Sequence, residues 1–269
     1  MLPQNPDLWP DRDGPVTDPP TPAATSAPAP EASALPRETY VATERVIERP
    51  QALRPTGGTP ADVERWLGHR AGAIAGLAEM FDELCWRLLA AGLPLARAHL
   101  YTPTLHPQYF SAACRWERAE GRTVESHAIH GMRESSSFLA SPLRAVFDEG
   151  RRVRRRLAEG PPFEFDLYAE LHAKGFTDYL ALPLEATAGA GLGPARRHAT
   201  TWATQPERGF AEVDIAAISA LVPLLALHAE TRITAQIARN VLDTYLGRQA
   251  GGRVLAGEIR RGSGEAIRA

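Results

Sequence analysis

Two stretches decide how this chain folds: residues 175–184, GFTDYLALPL, and residues 209–214, GFAEVD. The first predicts a buried strand, because a short apolar run follows a glycine that ends a preceding helix. The second opens a helix that the apolar spacing predicts over about 211–246. A buried strand followed by a long terminal helix indicates a sheet with helices packed against it.

The segments upstream complete this pattern. Thr59-Pro60 predicts a helix start, with a capping residue followed by proline at the first helical position, and the helix extends to about residue 91. The alternation of apolar residues then predicts strands at 95–102, 109–118, 123–130, 151–157, 178–186 and 196–204, with short helices at 137–149 and 165–174. The order predicts an α+β fold: an antiparallel sheet of five to six strands flanked by helices, with a long C-terminal helix.

The chain divides into three regions by composition. Residues 1–58 hold more than half of the 23 prolines and few large apolar residues, so they are predicted to be a disordered Pro-rich tail. A globular domain is expected over 59–235. Residues 236–269 are predicted to be a protruding helix followed by a linker.

Charge and cysteine usage exclude several classes of function. The 269 residues carry a formal net charge of -2, which argues against nucleic acid as a partner. The first residues lack a signal peptide, and the longest apolar run, 215–229, is too short to span a bilayer, so the chain is expected to be cytoplasmic with no membrane partner. The two cysteines, Cys85 and Cys114, are expected to be reduced core residues.

The element order resembles that of a GAF domain, the small-molecule sensor module that precedes many signalling enzymes. Residues 175–184 resemble the central strand of such domains, and residues 209–214 resemble the opening of their last helix. The resemblance covers about residues 60–235. It implies a regulatory domain that binds an unknown small-molecule ligand, with no cofactor assigned.

The C-terminal stretch 243–269, DTYLGRQAGGRVLAGEIRRGSGEAIRA, resembles the segment that precedes the catalytic domain of class III adenylate and guanylate cyclases. The resemblance implies a bacterial parent in which a cyclase domain is covalently linked after this region. Catalysis would reside in that domain, because no pair of metal-binding carboxylates is recognised in this chain. The chain by itself is therefore expected to have no enzymatic activity.

Candidate ligand contacts are named by their position on the central elements. Aromatic and polar side chains there are expected to contact a ligand or to pack in the core: Arg115, Trp116, His127, Phe138, Tyr168, Tyr179 and Trp202. No metal site is expected, because His127 and His130 point to opposite faces of a predicted strand. The arginine-rich stretch 151–156 is interpreted as a solvated face, with an anion-binding or inter-domain contact as the alternative.

The lower half of the long helix carries a thin apolar stripe. Ile233, Ile237 and Val241 recur at a spacing of four where the helix leaves the expected domain, which predicts a homodimer through this helix. Two alternatives stay open. The domain could be a ligand-free dimerisation scaffold, or a small-molecule enzyme on a GAF-like fold.

Overall fold

The computed structural model describes residues 41–104, 108–185 and 197–258. Two predictions lie partly outside these residues: the disordered tail, up to residue 40, and the linker, from residue 259. Apart from the end of the tail, which is corrected below, the division of the chain into three regions therefore stays a prediction.

The described residues form one antiparallel sheet of seven strands. In chain order the strands are β1 (Val41–Glu48), β2 (Arg97–Pro103), β3 (Tyr109–Glu117), β4 (Arg122–Ile129), β5 (Val153–Arg156), β6 (Asp178–Glu185) and β7 (Arg197–Thr204). Their spatial order is β1-β4-β3-β2-β7-β6-β5, so β1 and β5 are the edge strands.

Seven α-helices surround this sheet in the described residues. They are α1 (Pro60–His69), α2 (Leu77–Ala90), α3 (Ser136–Leu139), α4 (Pro142–Glu149), α5 (Asp166–Ala173), α6 (Glu212–Leu246) and α7 (Arg248–Leu255). The predicted α+β class, with its antiparallel sheet and long C-terminal helix, is confirmed.

The two faces of the sheet are covered differently. Helices α1, α2 and α6 pack on one face over a large apolar core that includes Trp116, Leu180 and Trp202. On the other face, a smaller core around Tyr168, Tyr179 and Ala181 lies under α4 and α5. We call these the helix-bundle face and the opposite face.

The prediction of a disordered tail up to residue 58 is wrong for its last part, because β1 pairs with β4 and raises the strand number from five or six to seven. Most β1 side chains are exposed, and the sequence of this strand, VATERVIE, shows no strong apolar alternation. Charge holds it instead: Arg45 contacts Glu79 and Glu125, and Arg49 donates to the fully buried Asp82 at 2.6 Å.

Two predicted helices are each divided in the structure. The helix expected over 59–91 becomes α1 and α2, separated by a short 3₁₀ turn. This joint contains Gly72 and Gly76, and glycine weakens a helix interior. The helix expected over 137–149 becomes α3 and α4, because Pro142 starts a new helix after a break at Ala140 and Ser141.

Helix α6 is continuous over 35 residues and contains Pro223. By length and composition alone it is apolar enough to cross a membrane, although 39% of its most apolar window is buried within the structure. The core helix of a soluble protein meets the same criterion. After Gly247, α7 folds back onto the end of α6, so that a Cβ at Gly251 would come within 3.2 Å of Leu242 and 3.0 Å of Asp243.

Candidate functional site

A row of polar side chains crosses the opposite face of the sheet, beside the part that α4 and α5 cover. The strand register places His99 opposite both Arg115 and Thr201, so all three side chains share this face. We define the polar strip by these residues and their neighbours on the same face, which are Arg97, His99, Tyr101, Arg115, Glu117 and Thr201.

Short polar contacts organise the strip. A ring nitrogen of His99, Nδ1, lies 3.2 Å from Thr201 Oγ1, and the His99 ring stacks on Tyr101 with centroids 5.3 Å apart. Glu117 Oε1 bridges two arginines, 2.7 Å from Arg115 Nη1 and 3.2 Å from Arg97 Nε. The strip therefore presents an aromatic surface beside a cluster of two positive charges and one negative charge.

Tyr179 adjoins this strip from β6. Its hydroxyl is buried next to Thr201 but does not meet hydrogen-bond geometry with any described residue. Burial raises the pKa of this hydroxyl well above its usual range, so it stays protonated at neutral pH. A buried donor without a partner is costly, and it is a natural point of contact for a bound water or ligand.

The structure divides the predicted ligand contacts between the two faces. Trp116 and Trp202 are fully buried in the core of the helix-bundle face, away from the polar strip. His127 lies near the β1 edge, where its Nδ1 is 2.8 Å from Glu44 Oε2 and its ring stacks on Tyr109. These three residues do not converge on one site.

The other four predicted contacts belong to the opposite face. Arg115 is part of the polar strip. Tyr168 packs edge-on against Tyr179 at 5.4 Å, and Phe138 is linked to Tyr101 through Phe147. Whether any of them touches a ligand stays a prediction. His99, Tyr101 and Thr201 were missed, although the alternation along β2 and β7 could have placed them on the face of Tyr179.

The two stretches that decided the fold meet at the start of α6. Asp178 is fully buried, and its Oδ2 accepts the backbone N–H of Phe210 at 3.1 Å. Arg154 on β5 donates to the same carboxylate at 2.9 Å and to the Phe210 carbonyl at 2.7 Å. We call this cluster of Asp178, Phe210 and Arg154 the root junction, because it ties the sheet to the residues that lead into α6.

Two further contacts hold the middle of α6. Arg232 donates to the carbonyls of Ala71 and Ile74, in the joint between α1 and α2, at 2.9 and 2.5 Å. His198 on β7 is fully buried, with its Nε2 3.0 Å from Glu230 Oε2. A displacement of β6, β7 or the α1–α2 joint would therefore be transmitted to α6.

The outward side of α6 carries a strict seven-residue repeat without a charged residue. The repeat follows the a and d positions of a coiled coil from residue 213 to residue 245. Its d positions are Val213, Ala220, Leu227, Thr234 and Val241, and its a positions are Ala217, Leu224, Thr231, Ala238 and Tyr245. We call these ten residues the heptad stripe.

No described residue covers the most exposed members of this stripe: Tyr245 is 82% exposed, Val213 72%, Leu227 59% and Val241 48%. The predicted dimer residues lie differently. Of those three, Val241 belongs to the stripe, whereas Ile233 is only 7% exposed and is already covered by its own chain. Ile237 lies between the two sides and is half-buried.

The cysteine prediction is confirmed, since Cys85 and Cys114 are both free and buried. Burial raises the pKa of both thiols. Within the ranges that the structure describes, no group of three or more His, Cys, Asp or Glu side chains could hold a metal ion.

Neither a protein-family model nor a curated protein matches this chain. Solved structures with a similar arrangement include the phycoerythrobilin-bound GAF domain of a cyanobacterial phytochrome, at 14% identity and a TM-score of 0.44, covering 67% of this chain and 98% of that one. The GAF domain of a phosphoenolpyruvate-protein phosphotransferase from Coxiella burnetii is 16% identical, with a TM-score of 0.42, and the match covers 66% of this chain and 97% of that one. The GAF domain of the Acinetobacter phosphoenolpyruvate-protein phosphotransferase is 12% identical, with a TM-score of 0.37, and the match covers 64% of this chain and 92% of that one. Likeness at this level carries no argument about function, which has to come from the residues of this chain.

Proposed function

We propose that this chain is a GAF-like sensory and dimerisation module in the cytoplasm, and that it controls a nucleotide cyclase domain joined to its C-terminal side. The observation that carries the proposal is the heptad stripe. Leu224 packs against the core of its own chain, but the apolar members Val213, Leu227, Val241 and Tyr245 stay exposed on this 35-residue helix, and a second copy would bury them.

Parallel pairing with an identical helix explains the pattern better than packing within one chain. Val213, Leu227 and Val241 occupy d positions of the seven-residue repeat, and each would meet its own copy across a two-fold axis. A repeat that keeps to seven residues favours a left-handed supercoil. Thr231 and Thr234 replace larger apolar residues near the middle, which would keep the pair weak enough to change its arrangement.

Signal transmission would start at the sheet and end at this helix pair. The polar strip offers a ligand two arginines, a histidine and the adjoining Tyr179 hydroxyl. A ligand there would act on β6 and β7. Strand β6 carries Asp178, which accepts the backbone N–H of Phe210 just before α6, and β7 carries His198, which contacts Glu230 on α6. The resulting step is a population shift between two arrangements of the paired helices.

The link to a cyclase rests on residues 243–269, of which the described part includes α7 and its fold against α6. Class III cyclases form their active sites between two catalytic domains, so a dimeric regulatory module suits that output. The chain alone would turn over no nucleotide. In a protein that carries the following domain, conversion of ATP or GTP to the cyclic nucleotide should depend on an intact heptad stripe.

Light scattering coupled to gel filtration tests the pairing. The double variant Leu227→Glu and Val241→Glu removes two apolar contacts per chain and places like charges together, so the dimer dissociation constant should rise by at least about 100-fold. The matched control, Gln236→Glu with Arg239→Gln, changes the net charge equally at exposed positions off the stripe. A wild-type chain that is monomeric at all concentrations would overturn the proposal, as would equal losses in both variants.

Native mass spectrometry of the purified chain tests the sensory part. A co-purified small molecule that is lost on changing His99 and Arg115 to alanine would support a ligand at the polar strip. A wild-type chain that binds no small molecule and still forms the stripe-dependent dimer would favour the ligand-free scaffold.

A further inference from the structure

An open pocket lies at the β5 edge of the sheet, next to the start of α6 and away from the polar strip. Its volume is about 480 Å³, which is in the range of small-ligand sites. Four arginines against two glutamates leave its lining with a formal charge of +2. The lining residues are Arg154, Arg155, Arg156, Glu159, Arg208, Phe210, Ala211 and Glu212.

Two of these arginines use most of their N–H groups within the protein. Arg154 belongs to the root junction and also contacts Glu212 at 2.6 Å. Arg155 donates to Glu159 at 2.9 Å and to two backbone carbonyls, those of Gly160 and Pro162. These contacts hold β5 in place and leave Arg154 and Arg155 fewer N–H groups for a ligand than the other two arginines keep.

The other two arginines keep donors for a ligand. Arg156 makes no hydrogen bond to any described residue. Its Nε is buried 3.9 Å from Asp178 Oδ2, while 38% of its side chain stays exposed. Arg208 is 53% exposed and uses one nitrogen, Nη1, on Asp214 at 2.9 Å. The pocket therefore holds one guanidinium without a hydrogen-bond partner and a second with free N–H groups.

The local backbone keeps Arg156 in this position. Gly209 has a φ of +67°, and a Cβ at that residue would come within 3.3 Å of Arg156 Cζ and 2.7 Å of Asp178 Oδ2. Only glycine both adopts this conformation readily and leaves room for the guanidinium. The Arg156 side chain therefore lies against the backbone of Gly209, and its exposed part lines the pocket.

We propose that this pocket binds a small phosphate-bearing anion through Arg156 and Arg208. A planar guanidinium binds two phosphate oxygens at once, and arginines outnumber glutamates four to two in the lining. An extended acidic peptide suits the pocket less well, because Glu159 and Glu212 stand at its rim, with 65% and 83% of their side chains exposed. The site is separate from the polar strip and does not depend on the proposed function.

Calorimetric titration of the whole chain with inorganic phosphate, at constant ionic strength set by chloride, tests the proposal. We expect saturable binding, with an affinity that falls at least about tenfold in the double variant Arg156→Gln and Arg208→Gln, because each loses a charge-assisted bond. The control, Arg151→Gln with Arg152→Gln, removes the same charge from the same arginine-rich stretch outside the pocket lining and should bind phosphate like the wild type.

The second arm repeats the titration with a phosphomonoester, glycerol 2-phosphate, and with a glutamate-rich peptide. Binding of either phosphate compound that depends on Arg156 and Arg208 supports the proposal. No binding of phosphate or the phosphomonoester, binding of the peptide alone, or equal losses in both double variants would overturn it. If the Gln variant is misfolded by circular dichroism, Arg156→Lys with Arg208→Lys keeps the charge but loses the bidentate geometry, and it should still weaken phosphate binding.

Discussion

The two sides of α6 are both apolar, yet only one of them is covered. Ile218, Leu221 and Leu225 are buried against the sheet and neighbouring helices, whereas Val213 and Leu227 stand largely exposed on the other side. Apolar content alone therefore does not tell whether one side of a helix packs within its own chain or against another chain. The inward side follows the contour of its own domain, and the outward side follows a strict seven-residue repeat that suits a second, identical helix.

The largest expected effect is a difference in the free energy of unfolding between alanine substitutions on the two sides of α6. Leu225→Ala should lower the free energy of unfolding by about 2–5 kcal/mol, because it leaves a cavity in the main core. Leu227→Ala, measured at a dilution at which the chain is monomeric, should change it by less than about 0.5 kcal/mol. Urea unfolding followed by circular dichroism gives both values. Equal losses would mean that Leu227 is covered by its own chain.

The same comparison shows where sequence reasoning succeeds and where it stops. A spacing of three and four describes both sides of α6, so it selected Ile233, which is buried, together with Val241, which is exposed. The stricter seven-residue repeat was present in the sequence and would have separated them. By contrast, the prediction of a buried strand at Asp178 and a helix after Gly209 was right, because glycine and apolar signals there are local.

Other parts of the fold and the candidate site depended on contacts that a sequence does not display. Strand β1 is attached through Arg45 and Arg49 rather than through apolar alternation, so its composition resembled a tail. The choice of large aromatics as ligand contacts selected Trp116 and Trp202. Both are fully buried in the core, where large aromatic side chains bury the most apolar area. His99 and Thr201 are less conspicuous, and only the register between β2 and β7 brings them together.

An intermediate effect is expected at the root of α6. Asp178→Asn removes the charge that binds Arg154 in a fully buried position, so unfolding should become easier by about 1–3 kcal/mol. Glu212→Gln removes a partner of the same guanidinium at an exposed position and should have little effect, since exposed ion pairs contribute little. Thermal unfolding of the two variants checks this difference. Similar shifts in both would argue that the root junction does not fasten the helix to the sheet.

The smallest effect sharpens the assignment of the outward side. Thr231→Leu places a larger apolar residue at an a position, so it should tighten the dimer by about 1 kcal/mol, or about fivefold in dissociation constant. Thr244→Leu is the matched control, because Thr231 and Thr244 each donate a hydrogen bond to the carbonyl four residues earlier, but Thr244 lies off the heptad stripe. Sedimentation velocity over a dilution series measures both. A tighter dimer with the control, or no change with Thr231→Leu, would contradict the register.

Disulfide cross-linking tests the central claim, parallel pairing through the heptad stripe, most directly. Val241→Cys places a thiol at a d position, where the two copies of a parallel pair approach within disulfide range, while the native Cys85 and Cys114 are buried and should not react. Under mild oxidation, we expect Val241→Cys to form a covalent dimer on a non-reducing gel and Arg239→Cys, off the stripe, to stay monomeric. Equal cross-linking of both, or none in Val241→Cys at concentrations where the chain is dimeric, would contradict it.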